Sequence, residues 1–131
     1  MTDAEIILNS LDALATREGD PAAAVYARLF KAHPEFEQLF LMDTDGGVRG
    51  SMLQQGFECL IDAAEGGNMA AVLLSAERVN HESYGVPENL FDAFFVAIRD
   101  TVQAAMGADW SSEADAAWTR LLARTTTLAA A

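Results

Sequence analysis

Apolar residues recur every three or four positions along nearly the whole chain, the spacing that places side chains on one face of an α-helix. Ile7, Leu11 and Leu14 show this spacing near the start, and Phe94 and Ile98 show it later. Alanine is abundant, β-branched runs are almost absent, and the 131 residues include only 3 prolines. Each of these features favours helix. The pattern therefore predicts an all-α fold.

Capping residues and glycines divide this pattern into separate helices. A capping box at residues 2–5 opens the first helix, glycines at 66 and 67 interrupt the middle of the chain, and Gly107 ends a long helix. The length suits one hydrophobic core, so we expect a single domain over residues 1–131. We predict helices from the capping box to about 17, over 21–32, 48–64, 69–81 and 87–106, and after Ser111 or Ser112 into the alanine-rich tail, with a short helical turn over 34–40.

The charge of the chain argues against several classes of partner. The net charge is −12 with only 8 lysines and arginines, and so acidic a surface repels nucleic-acid backbones and anionic membrane surfaces. The start of the chain has neither a signal peptide pattern nor an apolar run long enough to span a bilayer, so we expect a cytoplasmic protein. Cys59 is the single cysteine and is interpreted as a small hydrophobe at the edge of a helix's apolar face.

Motifs of common enzyme classes are missing from the sequence. The glycines at 46, 47 and 50 follow no predicted strand and lack the lysine–threonine pair of a nucleotide-binding loop. There is no paired-cysteine site and no serine elbow, and two histidines are too few for a histidine-rich zinc site. We interpret the many carboxylates as a solvated acidic surface.

The two histidines have different settings. His33 precedes a proline at a helix corner, where side chains usually face water. His81 follows Leu74 by seven residues and so lies on the same side of its helix, with Glu77 one turn before it. His81 is therefore either a ligand on an apolar face or a helix-end histidine paired with Glu77, and its spacing leaves both alternatives open.

Two segments of the chain resemble the globin family. Residues 25–40 resemble the globin segment that carries a distal-pocket tyrosine, a helix-corner proline and a ring-stacking phenylalanine, with Tyr26, Pro34 and Phe40 at those places. Residues 80–87 resemble the proximal histidine and the corner that follows it. The order of the predicted helices agrees as well, and the spacing is most similar to bacterial single-domain globins and the globin part of flavohaemoglobins.

The resemblance implies a globin fold around haem b, with His81 as the protein ligand of the iron. It also implies that the Tyr26 hydroxyl donates a hydrogen bond to a bound gas. Phe94 is a further candidate for the apolar slot. The implied haem-site residues are His81, Phe40, Tyr26, Leu53, Arg49, Phe57, Leu74, Tyr84, Val86 and Phe91.

The sequence departs from familiar globins around this site. No distal histidine is available: spacing places Arg49 near the distal gate and Leu53 four residues deeper, and a small shift would bring Met52 there instead. Arg49 is either a partner of a haem propionate or a solvated arginine. Glu77 occupies the usual place of a leucine against the haem, and a buried carboxylate would need a partner. The carboxylate that flavohaemoglobins place behind the proximal histidine has no clear counterpart.

Three functions follow as hypotheses. The first is reversible binding of dioxygen or another diatomic gas, such as nitric oxide or carbon monoxide, by a monomer or homodimer. The second is nitric oxide dioxygenation, which would need a separate reductase because the chain has no reductase domain. The third is a haem-free, globin-like sensor or interaction module in which His81 only pairs with Glu77. We favour a binding protein over an enzyme.

Overall fold

The fold is all-α, as the apolar spacing predicts. A computed structural model of the chain describes residues 1–83, 85–86 and 89–130, and the described part contains helices and no strand. The helices within these ranges are α1 (Asp3–Glu18), α2 (Ala22–Ala32), α3 (Gly47–Ala64), α4 (Met69–Ser83), α5 (Leu90–Met106) and α6 (Ser112–Ala130), with 3-10 helices at Pro34–Phe40 and Gly107–Asp109.

Local capping hydrogen bonds explain where three of these helices begin. The Thr2 hydroxyl accepts from the backbone N–H three residues on (3.2 Å), and the Asp20 carboxylate accepts from the N–H two residues on (3.1 Å). Ser111, not Ser112, caps α6, because its hydroxyl accepts the N–H three residues on at 3.0 Å. The predicted start of the fifth helix at Pro87 lies outside the described residues.

The helices enclose one core. α1 packs against α5, α6 and α3, while α2 packs mainly against α5. α4 lies between α3 and α6, so its two sides face different neighbours. Trp118 on α6 is fully buried, and its indole Nε1 donates to the Ser10 hydroxyl on α1 at 2.9 Å. The sequence pattern did not indicate this buried polar pair.

A tight turn sets α4 against α3. Gly66 has a φ of +74°, a backbone conformation that favours glycine. A Cβ atom on Gly67 would overlap the Asp62 carboxylate, so this position also requires glycine. That carboxylate accepts the backbone N–H of Ala70, in the first turn of α4, at 2.7 Å. The turn therefore fixes the helix that carries His81.

Within the described ranges, no helix has both the length and the apolar character that crossing a bilayer requires.

Candidate functional site

An apolar cavity of about 50 Å³ lies between α3, α4 and α5, and we call it the His81 pocket. Each helix contributes four residues, and all but a few of these side chains are apolar. The lining residues are Met52, Gln55, Gly56 and Cys59 from α3, Leu73, Leu74, Glu77 and His81 from α4, and Leu90, Phe91, Phe94 and Phe95 from α5.

His81 is oriented within this pocket by its own helix. Its ring Nδ1 lies 2.6 Å from the backbone carbonyl oxygen of Glu77, and its ring meets the ring of Phe91 edge-on at 5.1 Å. A carbonyl can only accept, so in the neutral ring Nδ1 carries the proton and donates it. Nε2 then holds a lone pair, and it makes no hydrogen bond to any residue that the structure describes. This arrangement leaves Nε2 as a ligand atom.

Glu77 also lies close to His81. Its carboxylate Oε2 is 3.7 Å from His81 Nδ1, and its side chain is 33% exposed. The carboxylate is therefore partly exposed to solvent and has His81 as a neighbour. Pairing with Glu77 uses Nδ1, whereas metal ligation would use Nε2. The pairing and the ligand role expected of His81 are thus compatible.

Tyr26 lies in an aromatic cluster beside the pocket, which we call the Tyr26 cluster. Its buried ring has centroid distances of 5.8 Å to Phe30, 5.5 Å to Phe40 and 5.8 Å to Phe94. Phe94 also lines the His81 pocket, so the cluster and the pocket share a wall. Burial raises the pKa of the Tyr26 hydroxyl, so the phenol stays protonated and acts as a donor. In the structure it donates to the Arg49 carbonyl at 2.9 Å.

Arg49 is engaged by a buried carboxylate. Its Nε lies 3.0 Å from the Asp43 carboxylate, and its Nη2 donates to the Asp43 carbonyl at 3.0 Å. Burial acts to raise the pKa of Asp43, but hydrogen bonds from the Arg49 and Val48 backbone and from the guanidinium outweigh it and hold this pKa below its usual value. Arg49 is therefore paired with Asp43 and is not a freely solvated side chain.

The remaining predicted residues are dispersed. Leu53 is buried in the core but does not line the His81 pocket. Phe57 lines a different cavity, between α1 and α3, beside Leu11. The Val86 backbone N–H donates to the His81 carbonyl at 2.9 Å, which joins the corner to the end of α4. Tyr84 lies outside the described residues.

The α3 wall of the pocket contains residues that the spacing argument did not select. Met52 lines it, and Gly56 brings α3 close to α5 because a Cβ there would lie 3.0 Å from the Phe94 ring. Cys59 is buried and lines the same wall, and burial raises the pKa of its thiol to about 11. The spacing from 52 through 56 to 59 is itself helical and could have indicated this face.

The residues present fit a haem. The pocket has apolar walls and one oriented imidazole nitrogen, the donor set that a porphyrin iron takes from a globin. Among the described residues, no group of three or more histidine, cysteine, aspartate or glutamate side chains could hold a metal ion by itself. A cavity of about 50 Å³ admits only a few water molecules, so the three helices that line it would have to move apart to accept a flat macrocycle.

Comparison with known proteins identifies the family of the chain. Residues 23–127 match the sequence profile of the Globin family, a range that runs from α2 into α6 and includes Tyr26, Phe40 and His81. A search of curated proteins finds no significant match. The family profile covers well over half of the chain, and the helices follow in the predicted order. The chain therefore belongs to the globin family.

Proposed function

We propose that this globin binds haem b through His81 and reversibly binds a diatomic gas such as dioxygen. One observation carries the proposal: the Glu77 carbonyl holds Nδ1 of His81, which leaves Nε2 free for a metal on the wall of an apolar pocket. Membership of the globin family supports the same function.

A haem held in this pocket would supply a ferrous iron, the group that binds a diatomic gas reversibly. His81 would hold the haem through Nε2, and the Glu77 carbonyl fixes both the tautomer and the direction of the ring. Leu74 and Phe91 provide apolar contact and exclude water. Tyr26 keeps a phenolic proton that it can donate to a gas ligand that gains negative charge.

Titration of the purified protein with haemin tests this proposal. We expect saturation at about one haem per chain, with a strong Soret band, as for a single axial-histidine site. His81→Ala should lose most of this binding. His33→Ala is the matched control, because His33 is the other histidine, is half-buried, and stacks on Phe36 at 5.0 Å outside the His81 pocket.

If His81→Ala kept the spectrum and haem affinity of the natural protein, the ligand assignment would be wrong. If the natural protein did not bind haem at all, the result would favour the haem-free sensor or interaction module.

A further inference from the structure

Asp43 hydrogen bonds to both the backbone and a side chain of the first turn of α3. The buried Asp43 carboxylate accepts the backbone N–H of Val48 at 3.0 Å and that of Arg49 at 2.9 Å. The same carboxylate accepts Arg49 Nε at 3.0 Å, while Arg49 Nη2 donates to the Asp43 carbonyl at 3.0 Å. Hydrogen bonds to a charged group are stronger than neutral ones, so this arrangement fixes both the main chain and the side chain of Arg49.

The Arg49 carbonyl that is fixed in this way accepts the hydroxyl of Tyr26 at 2.9 Å. A phenol has one proton and can donate it to one acceptor at full strength. In the proposed function, a gas ligand bound beside Tyr26 would therefore compete with the Arg49 carbonyl for the same proton. A carbonyl that is held firmly in place competes better than one that can move away.

We propose that Asp43 is a positioning residue that holds the Arg49 carbonyl against the Tyr26 hydroxyl and so speeds release of the gas ligand. The effect on gas release rests on the proposed function. The hydrogen bonds that link Asp43 to Arg49, and Arg49 to Tyr26, do not. Within the described residues, Asp43 hydrogen bonds to neither Tyr26 nor the lining of the His81 pocket, and it acts on Tyr26 through Arg49.

The same loop contains a matched control. Asp45 accepts the backbone N–H of Gly47 at 2.9 Å, but it is exposed and, within the described residues, makes no hydrogen bond or ion pair with Arg49 or Tyr26. Asp45→Asn therefore changes the charge and one capping group of the loop without releasing the Arg49 carbonyl. Asp43→Asn removes the charge that holds the guanidinium, and Asp43→Ser is a second variant that keeps a helix-capping hydroxyl.

The first experiment measures dioxygen release from the haem-loaded protein by stopped flow. We expect Asp43→Asn and Asp43→Ser to slow release by about 2- to 5-fold, the equivalent of weakening one neutral hydrogen bond that competes for the proton. Asp45→Asn should leave the rate unchanged. In the Tyr26→Phe background, Asp43→Asn should have no effect, because the proton is gone. Equal slowing with and without Tyr26 would overturn the proposal, and so would an unchanged rate in both Asp43 variants.

The second experiment needs no haem. Carbon-13 labelling of tyrosine Cζ gives signals from Tyr26 and Tyr84, the two tyrosines of the chain, and Tyr26→Phe assigns them. We expect Asp43→Asn to shift the Tyr26 signal in haem-free protein and Asp45→Asn to leave it in place. A Tyr26 signal unmoved by Asp43→Asn would overturn the positioning role, even in a protein with normal gas binding. A shifted signal in a chain that never binds haem would support the positioning of the carbonyl and refute the proposed function, so the two failures are distinguishable.

Discussion

At the scale of single residues, the chemistry of the site depends on which polar atoms already form hydrogen bonds within the protein. His81 commits Nδ1 to its own helix and keeps Nε2 free of hydrogen bonds to the described residues. Tyr26 commits its only proton to the Arg49 carbonyl. In the proposed function, the first arrangement leaves a nitrogen for the haem iron, whereas the second gives a gas ligand a competitor for the Tyr26 proton. Tyr26 can still donate to a gas ligand, but it must first give up its hydrogen bond to the Arg49 carbonyl.

Tyr26→Phe removes the phenolic proton and keeps the packing of the ring in the Tyr26 cluster. A hydrogen bond to a charged acceptor is worth about 1.5–3 kcal/mol, and the neutral bond to Arg49 that must be given up is worth about 1 kcal/mol. The net difference of about 0.5–2 kcal/mol predicts dioxygen release that is about 2- to 30-fold faster in the variant. Stopped-flow release measurements check this value.

Carbon monoxide provides the control for Tyr26→Phe. This ligand gains much less negative charge than dioxygen, so its release should change less, and haem retention should stay the same. Equal changes for both gases would show that Tyr26 acts by its shape and does not donate a proton.

Cys59 offers a chemical probe of the pocket wall. Burial raises the pKa of its thiol to about 11, so at about pH 8 we expect slow reaction with a disulfide reagent, with a rate that rises about tenfold per pH unit up to that pKa. Haem should slow the reaction further, because Cys59 lines the His81 pocket. A spectrophotometric thiol assay measures both effects. Protein unfolded in denaturant gives the reference rate, and labelling that is unaffected by haem would contradict the location of the site.

At the scale of elements, the position of α4 decides where His81 lies. The Asp62 carboxylate near the end of α3 accepts the Ala70 N–H at the start of α4, and glycine at 67 leaves room for it. α4 is therefore fixed to α3 at one end, while Val86 hydrogen bonds to its other end. Both contacts hold His81 opposite the α3 wall of the pocket.

Asp62→Ala should weaken this attachment. Loss of a capping carboxylate lowers the free energy of unfolding by about 0.5–2 kcal/mol, and a looser α4 should release haem faster. Denaturant unfolding and haem transfer to an acceptor protein measure the two effects. Glu58→Ala is the control, because Glu58 is exposed and lies one turn earlier on the same helix. The same loss in both variants would show that Asp62 has no special role in placing α4.

The helices were predictable from the sequence because their signals are local. Thr2 and Ser111 cap the helices that directly follow them, and Gly107, with a φ of +54°, ends α5. The contacts between helices were not predictable in the same way. Trp118 and Ser10 lie 108 residues apart, and no periodicity pairs a buried indole with one particular hydroxyl.

In the candidate site too, single residues were predictable from the sequence, whereas their contacts were not. Tyr26 and His81 stand out by residue type and spacing, but the acceptor of the Tyr26 proton is a backbone carbonyl, which leaves no mark in the sequence. An apolar helix face is also wide enough to meet two neighbours. Phe57 lines a cavity towards α1, whereas Gly56, the adjacent residue, lines the His81 pocket. Helical spacing alone did not separate these two positions.

At the scale of the whole molecule, the proposed haem binding should be coupled to stability. A ligand that binds only the folded chain raises its stability by mass action, by about 2.7 kcal/mol at a concentration 100 times the dissociation constant. The pocket walls belong to three helices, so filling the pocket strengthens contacts across much of the core.

We therefore expect the haem-loaded protein to melt roughly 10 °C above the haem-free protein under such conditions. Circular dichroism at increasing haem concentrations measures this shift. His81→Ala under the same conditions should show a much smaller one. Equal melting temperatures with and without saturating haem would contradict the coupling.

The most direct test of His81 as the iron ligand is imidazole rescue of His81→Gly. This substitution removes the ligand and leaves space for a free imidazole beside α4. We expect the variant to lose the absorption spectrum of a histidine-ligated ferrous haem and added imidazole to restore it. Resonance Raman should then show an iron–nitrogen stretching band that shifts with isotopically labelled imidazole. A natural spectrum in His81→Gly without imidazole would contradict the assignment of His81 as the iron ligand.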